Sequence, residues 1–273
     1  MDVQSARKPY PSDLTHEEWA IIGPELPAPV AAGAPRTTDL REVLNAILYR
    51  LHNGCAWRAL PHDFPAEGTV RDYFHRWRRS GVWAKLNDTL RRRVRRAAGR
   101  AEEPSAGIID SQSAKGTRTS GTKGYDAGKK VKGTKRHLVV DTIGLLLCLV
   151  VHPANIQDRD GAKLVLAKAR SQCPTLRLIW ADGGYAGKLI GWVQSVCGWV
   201  LEIVKRSDTA KGWVLLPRRW VVERTFGWLS QCRALARDYE FHPETSEALI
   251  QIAMIHLMLR RLAKGGQPVA CPC

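Results

Sequence analysis

The chain has 273 residues and a formal net charge of +16, set by 42 Lys and Arg against 26 Asp and Glu. That length holds one large domain or two modest ones with adequate cores, and 44% hydrophobic with 25% charged residues excludes global disorder. The polar start, and a longest apolar run (Ile143 to Val151) well short of the ~20 residues of a membrane helix, speak against a signal peptide and a membrane anchor. A soluble protein of the cytoplasm is expected.

Residues 1–100 read as helical. Thr15-His-Glu-Glu18 is a capping-box pattern ahead of Trp19, Ile21 and Ile22, and Pro24 and Pro27 stop that element. A second helix begins near Thr38 and runs through Leu40, Val43, Leu44, Ile47, Leu48 and Leu51 to Gly54. The third, Thr69 to Arg79, puts Val70, Tyr73, Phe74 and Trp77 on one face and Arg76, Arg78 and Arg79 elsewhere. A fourth, Val82 to Ala98, points Trp83, Leu86, Leu90 and Val94 inward and surrounds them with arginines, Arg92 and Arg93 among them. Short helices with an arginine-rich final pair resemble a helix-turn-helix arrangement, and an amphipathic bundle with a basic surface would look the same.

The polar stretch Gly99 to Ala106 is a connector, and strands follow. Gly107–Ser111 is short and buried, a basic Gly-rich excursion covers Lys115–Gly133, and His137–Asp141 with Leu145–Val151 make a hairpin about Thr142-Ile-Gly144. Asp158 or Asp160 caps a helix through Ala167. Leu176–Ala181 is a strand, Lys188–Val196 a helix and Trp199–Lys205 a strand. Pro217 opens a helix that carries Glu223, and Ser246–Lys264 is a long apolar-faced helix in which His256 is a core residue. The expected organisation is a small all-α, helix-turn-helix-like domain over 1–100, an α/β domain with a mixed sheet over 105–264, and a disordered tail over 265–273. The element order of the second domain matches the ribonuclease H-like fold.

Seven scattered cysteines, odd in number and never spaced Cys-x2-Cys, support neither a disulfide framework nor a zinc site. The basic excess is concentrated. Arg71 to Arg100 holds eleven Lys and Arg against two Asp, and Lys115 to Arg136 holds eight against Asp126 alone. Such runs can be solvated faces, but two of them flanking an acidic site form a nucleic-acid track.

Three carboxylates are candidates for that acidic site. Asp110 closes one apolar run, Asp182 closes another, and Glu223 sits in a helical segment. Hard divalent cations take oxygen ligands, and two such ions can activate the attacking oxygen of a phosphodiester displacement and neutralise the leaving one. Parallel neighbouring strands would bring Asp110 and Asp182 to one sheet edge, with a helix supplying Glu223. Both aspartates also suit turns, and Glu223 can pair with Arg219, although Arg before Glu is the weaker order. Asp141 is the rival, Asp158 and Asp160 read as helix caps, and Asp126 and Asp208 as loop residues. His137 is open between strand packing and phosphate contact, and Trp57 reads as a loop anchor.

Five stretches then carry a resemblance: Gly107-Ile-Ile-Asp-Ser-Gln-Ser113, Lys132-Gly-Thr-Lys-Arg-His137, His152-Pro-Ala-Asn-Ile-Gln-Asp158, Trp180-Ala-Asp-Gly-Gly-Tyr-Ala-Gly187 and Arg218-Arg-Trp-Val-Val-Glu-Arg-Thr-Phe-Gly-Trp-Leu229. Together they resemble the DDE-class transposases of bacterial insertion sequences, specifically the insertion sequence five family, from about Pro11 to Lys264. The resemblance implies a DNA transposase that cleaves element ends and joins the 3′-hydroxyl to target DNA. It implies Asp110, Asp182 and Glu223 as ligands of two Mg²⁺ ions, with Mn²⁺ as substitute. It also implies double-stranded DNA as partner, a homodimer on that DNA, and a place on the bacterial nucleoid. The family's Tyr-x2-Arg-x3-Glu-x6-Lys pattern is incomplete, with Leu216 and Ser230 at the Tyr and Lys positions and Arg219 retained. Arg219, Arg224 and Arg233 are candidates for the end phosphates, with Lys132, Lys135, Arg136, His137 and the arginines of the third and fourth helices as further DNA contacts. A DNA-binding protein without chemistry and a structure-selective nuclease of the same fold are the alternatives.

Overall fold

A computed structural model describes residues 7–28, 37–204 and 218–265. Leu216, Pro217, Asp208, Lys205 and the tail cysteines Cys271 and Cys273 lie outside the described residues. Four α-helices come first: α1 (His16–Ile22), α2 (Leu40–Asn53), α3 (Glu67–Arg79) and α4 (Val82–Ala97). The Thr15 capping box forms as the sequence predicts, with the hydroxyl accepting from Glu18 N and the Glu18 carboxylate from Thr15 N. Helix α2 starts at an Asp39 cap and ends at Gly54, whose φ of 68° suits a residue without Cβ.

The chain then forms β1 (Ala106–Lys115), β2 (Gly124–Asp126), β3 (Val131–Asp141), β4 (Leu146–Pro153), α5 (Asp158–Gln172), β5 (Leu178–Ala181), α6 (Lys188–Trp192), β6 (Val200–Ile203), α7 (Arg219–Ser230), α8 (Arg233–Ala236) and α9 (Pro243–Ala263). The sheet runs β2-β3-β1-β5-β6, with β4 also on β3. β1 is antiparallel to β3 and parallel to β5, and β5 is parallel to β6.

Alternation along the strands separates two cores, because successive side chains leave opposite faces. Ile108, Leu138, Val140 and Trp180 join one buried cluster with α7, α9 and the N-terminal helices. Ile109, Val139 and Ile179 join another with α5 and Tyr185. The helical region and the sheet therefore share an apolar core, and the buried Arg95 of α4 adds an ion pair to Asp141 at 2.7 Å.

Several elements depart from the sequence reading. The excursion after Lys115 contains β2, a three-residue strand too short to show a period. The helix expected over 188–196 is α6 followed by a π turn over Val193–Cys197. Asp158 is not a cap: Gln157 holds that position, and Asp158 turns toward the sheet. His256 is buried as expected, with Nδ1 3.0 Å from His52 Nε2. Trp57 packs on Phe74 and under the Arg50 guanidinium.

Candidate catalytic site

Register brings two of the three carboxylates together. Ile108 pairs with Trp180 across parallel strands, so Asp110 and Asp182, each two residues further on, lie abreast at one end of the pair. Parity puts Asp110 on the face of Ile108 and Asp182 on that of Trp180, the face covered by α7. Helix α7 is seated by Val221, Val222, Phe226 and Leu229, which leaves Glu223 exposed.

Burial pushes the Asp110 carboxyl up to about 6; the Ser111 N–H donated to it opposes this, and the negative charge of Asp182 adds to it. Asp182 accepts from Gly184 N at 2.8 Å, which fixes the short 3-10 turn over Gly183–Tyr185. The Arg219 guanidinium lies 3.7 Å from Asp182 and 3.3 Å from Glu223. Among the described residues no three His, Cys, Asp or Glu stand close enough to hold a metal ion as they are. The donor chemistry of Asp110, Asp182 and Glu223 nonetheless fits a hard divalent cation, with Arg219 as the cation beside Asp182 and Glu223 here.

Asp141, the rival, pairs with Gly107 and so lies at the other end of β1 from Lys115. It is buried, bound to Arg95 and to the N–H groups of Ile143 and Leu145, and closes the β3–β4 turn.

Behind Asp110 the opposite face carries a polar cluster that sequence reasoning missed. Ser111 donates its hydroxyl to Asp158 at 2.8 Å, and buried Lys135 reaches Asp158 at 2.9 Å and Asp126 at 3.3 Å. Asp126 also accepts from Ser113 and Lys129 N; these and Lys135 hold its carboxyl down at about 2 although burial acts the other way. His137 and His152 stack with ring nitrogens 2.8 Å apart, against Gly161 of α5, where any Cβ would strike both rings. The only signal in the sequence was that Lys135, His137, His152 and Asp158 all fell in the family-like stretches.

The expected DNA contacts divide by side-chain direction. Lys132 is exposed, whereas Lys135, Arg136 and His137 are buried, Arg136 donating to the carbonyls of Leu235 and Arg237. Arg224 is half-buried against Trp220 and Trp228 and donates to Ile143 O. Arg76, Arg79 and Arg233 are exposed and Arg78 half-buried. Arg92 pairs with Asp88 and Glu103, and Arg93 reaches Ile21 O and Glu25.

Residues 101–258 match the family described as Transposase DDE domain, and residues 14–87 match one described as Putative transposase of IS4/5 family. A Burkholderia cepacia protein described as a putative transposase for insertion sequence element IS402 is 25% identical over 142 residues, 50% of this chain and 67% of that protein.

Proposed function

Because this chain belongs to the DDE transposases, we propose that it cuts DNA at the ends of its element and joins the freed 3′-hydroxyl to target DNA at one site built from Asp110, Asp182 and Glu223. Its fold is accordingly ribonuclease H-like, a mixed sheet with flanking helices behind an N-terminal helical region. We divide it into a DNA-binding part over 1–100 and a catalytic part over 105–264. No described helix is long and apolar enough to cross a membrane.

The observation that carries this reading is the register of β1 on β5, which sets Asp110 beside Asp182 under the helix that bears Glu223. The three carboxylates would hold Mg²⁺, as two ions, with Mn²⁺ able to substitute. What such ions supply when bound is an activated attacking oxygen, first of water and then of the 3′-hydroxyl, and a neutralised leaving oxygen. The chain's own part is positional. The Gly184 N–H fixes Asp182, the Ser111 N–H fixes Asp110, and Arg219, paired here with Asp182 and Glu223, would offer a phosphate a planar fork of donors. Lys132, Arg233, Arg76, Arg78 and Arg79 would track the phosphate backbone, with Arg92 and Arg93 contributing through their exposed edges. Two copies would hold two element ends.

Purified protein with DNA carrying the gene's own flanking ends tests the reading, in Mg²⁺ or EDTA and beside Asp182→Ala. Cutting that needs Mg²⁺ and is lost in the variant supports it. Tight end binding with no cutting by the wild type would favour a protein acting by occupancy alone.

A further inference from the structure

Six large apolar side chains are exposed among the described residues, and three of them are aromatic: Tyr125 (55%), Tyr239 (46%) and Phe241 (64%). They come from remote parts of the sequence to one end of the sheet. Gly133 of β3 pairs with Lys115 at the end of β1 on one side and with Gly124 of β2 on the other, which places Tyr125 beside that end, opposite Lys132. The next residue, Gly116, forms a bridge with Asp238, which places Tyr239 and Phe241 there too. Phe241 lies against the loop at Gly121.

The segment that carries two of these rings is held firmly. Asp238 is buried and accepts from Thr134, Ser246 Oγ at 2.8 Å and Glu240 N at 3.1 Å. Its N–H donates to Lys115 O, and its carbonyl accepts from Ser120 Oγ. Arg136, spent on the carbonyls of Leu235 and Arg237, braces the same segment from below. Rings kept at the surface on a fixed backbone cost solvation without adding to the core, and four exposed basic residues stand with them: Lys115, Arg118, Lys132 and Arg237. Nearby Asp126 and Asp238 are buried and Glu240 is paired with Arg50, leaving Glu244 as the exposed acid at the start of α9.

Exposed aromatics set among positive charges match the chemistry of a nucleic acid, whose phosphates take the charges and whose bases take the rings. We propose that Tyr125, Tyr239 and Phe241 form a base-contacting surface for bound double-stranded DNA, with a ring stacking on a base or wedging into a base step. The place of contact rests on the active-site reading above. Lys115 is five residues beyond Asp110 along β1, about 17 Å at the rise of a strand. At ~3.4 Å per base pair, the contact falls roughly five base pairs from the scissile phosphate.

The test is DNA binding in EDTA, so that it scores the surface whether or not the carboxylates cut. Wild type, Tyr239→Ala, Phe241→Ala and Phe241→Trp are titrated onto an end duplex carrying 2-aminopurine at successive positions around the fifth pair. The proposal expects binding weakened about 10-fold by each alanine, with the salt dependence of affinity unchanged because phosphate contacts remain. It also expects a position-specific fluorescence change that the alanine variants lose and Phe241→Trp keeps. Alanine variants that bind and report like wild type would overturn it. So would variants that bind DNA normally but lose self-association, which would assign the rings to a second copy of the chain. A protein that shows the ring effect but never cuts in Mg²⁺ sinks the cutting reading and leaves this surface standing.

Discussion

Lys135 stands 2.9 Å from Asp158 in the sheet face behind the candidate site, and Asp158 in turn holds the hydroxyl of Ser111, the neighbour of Asp110. The pair acts on Asp110 through the backbone, since the Ser111 N–H also reaches the Asp110 carboxylate at 2.7 Å. Asp158→Asn is expected to lower the cleavage rate about 10- to 100-fold, the scale of a small misplacement at a reacting centre. End binding should stay within about 2-fold, because Asp158 lies on the sheet face opposite Asp110 and acts only through Ser111. Equal losses in binding and rate would show a folding defect instead.

Arg95 and Asp141 tie helix α4 to the β3–β4 turn where both are buried. Arg95→Met leaves Asp141 buried without its partner and is expected to destabilise the protein by about 3 kcal/mol, near the lower end for a broken buried pair. Urea unfolding followed by far-ultraviolet circular dichroism reads this. A midpoint unchanged from wild type would mean that the helical region and the sheet are not coupled through this pair.

Acid should weaken the fold through its buried imidazoles. Burial, reinforced by His152, drives His137 down to about 3, and burial with His52 and Arg260 drives His256 well below its ordinary value. A histidine depressed in the folded state contributes stability that is whole above its unfolded value of about 6.5 and is lost as pH falls toward the folded value. The urea midpoint is therefore expected to fall between pH 7 and pH 5, and less steeply in His256→Leu. Parallel pH curves for the two proteins would contradict the assignment.

Arg219 bridges Asp182 and Glu223 as a fixed cation would. Arg219→Gln leaves the carboxylates facing each other, so Mn²⁺ should raise its melting temperature more than that of wild type. Glu223→Gln, added to it, should remove the extra rise. Differential scanning fluorimetry in Mn²⁺ and in EDTA distinguishes the cases, and an equal rise in all three proteins would place the ion elsewhere.

Much of this was legible in the residues. The runs ending at Asp110 and Asp182 announced strands, and the condition that would bring the two aspartates to one sheet edge, parallel neighbouring strands, is met by the register. Val222, Phe226 and Leu229 seat α7, and Glu223 on the same helix is exposed. What stayed hidden depends on long-range pairing. Lys135, Arg136 and His137 alternate between two buried faces of a central strand, so a basic run that looks like a DNA track is spent on Asp158, the Leu235 carbonyl and His152. Asp158 looks like a helix cap until β1 is placed beneath it. The sharing of one core by the helices before Gly99 and by α9 is likewise invisible to local pattern.

The most direct test of the account is joining, given pre-cut element ends with free 3′-hydroxyls, a target plasmid and Mg²⁺. Wild type should insert the ends through their 3′-oxygens, as sequenced junctions would show, while Asp110→Asn and Glu223→Gln bind the same ends and join none. Joining that persists in either variant, or a wild type that only nicks the target without forming junctions, would contradict the claim that these three carboxylates make a transposase site.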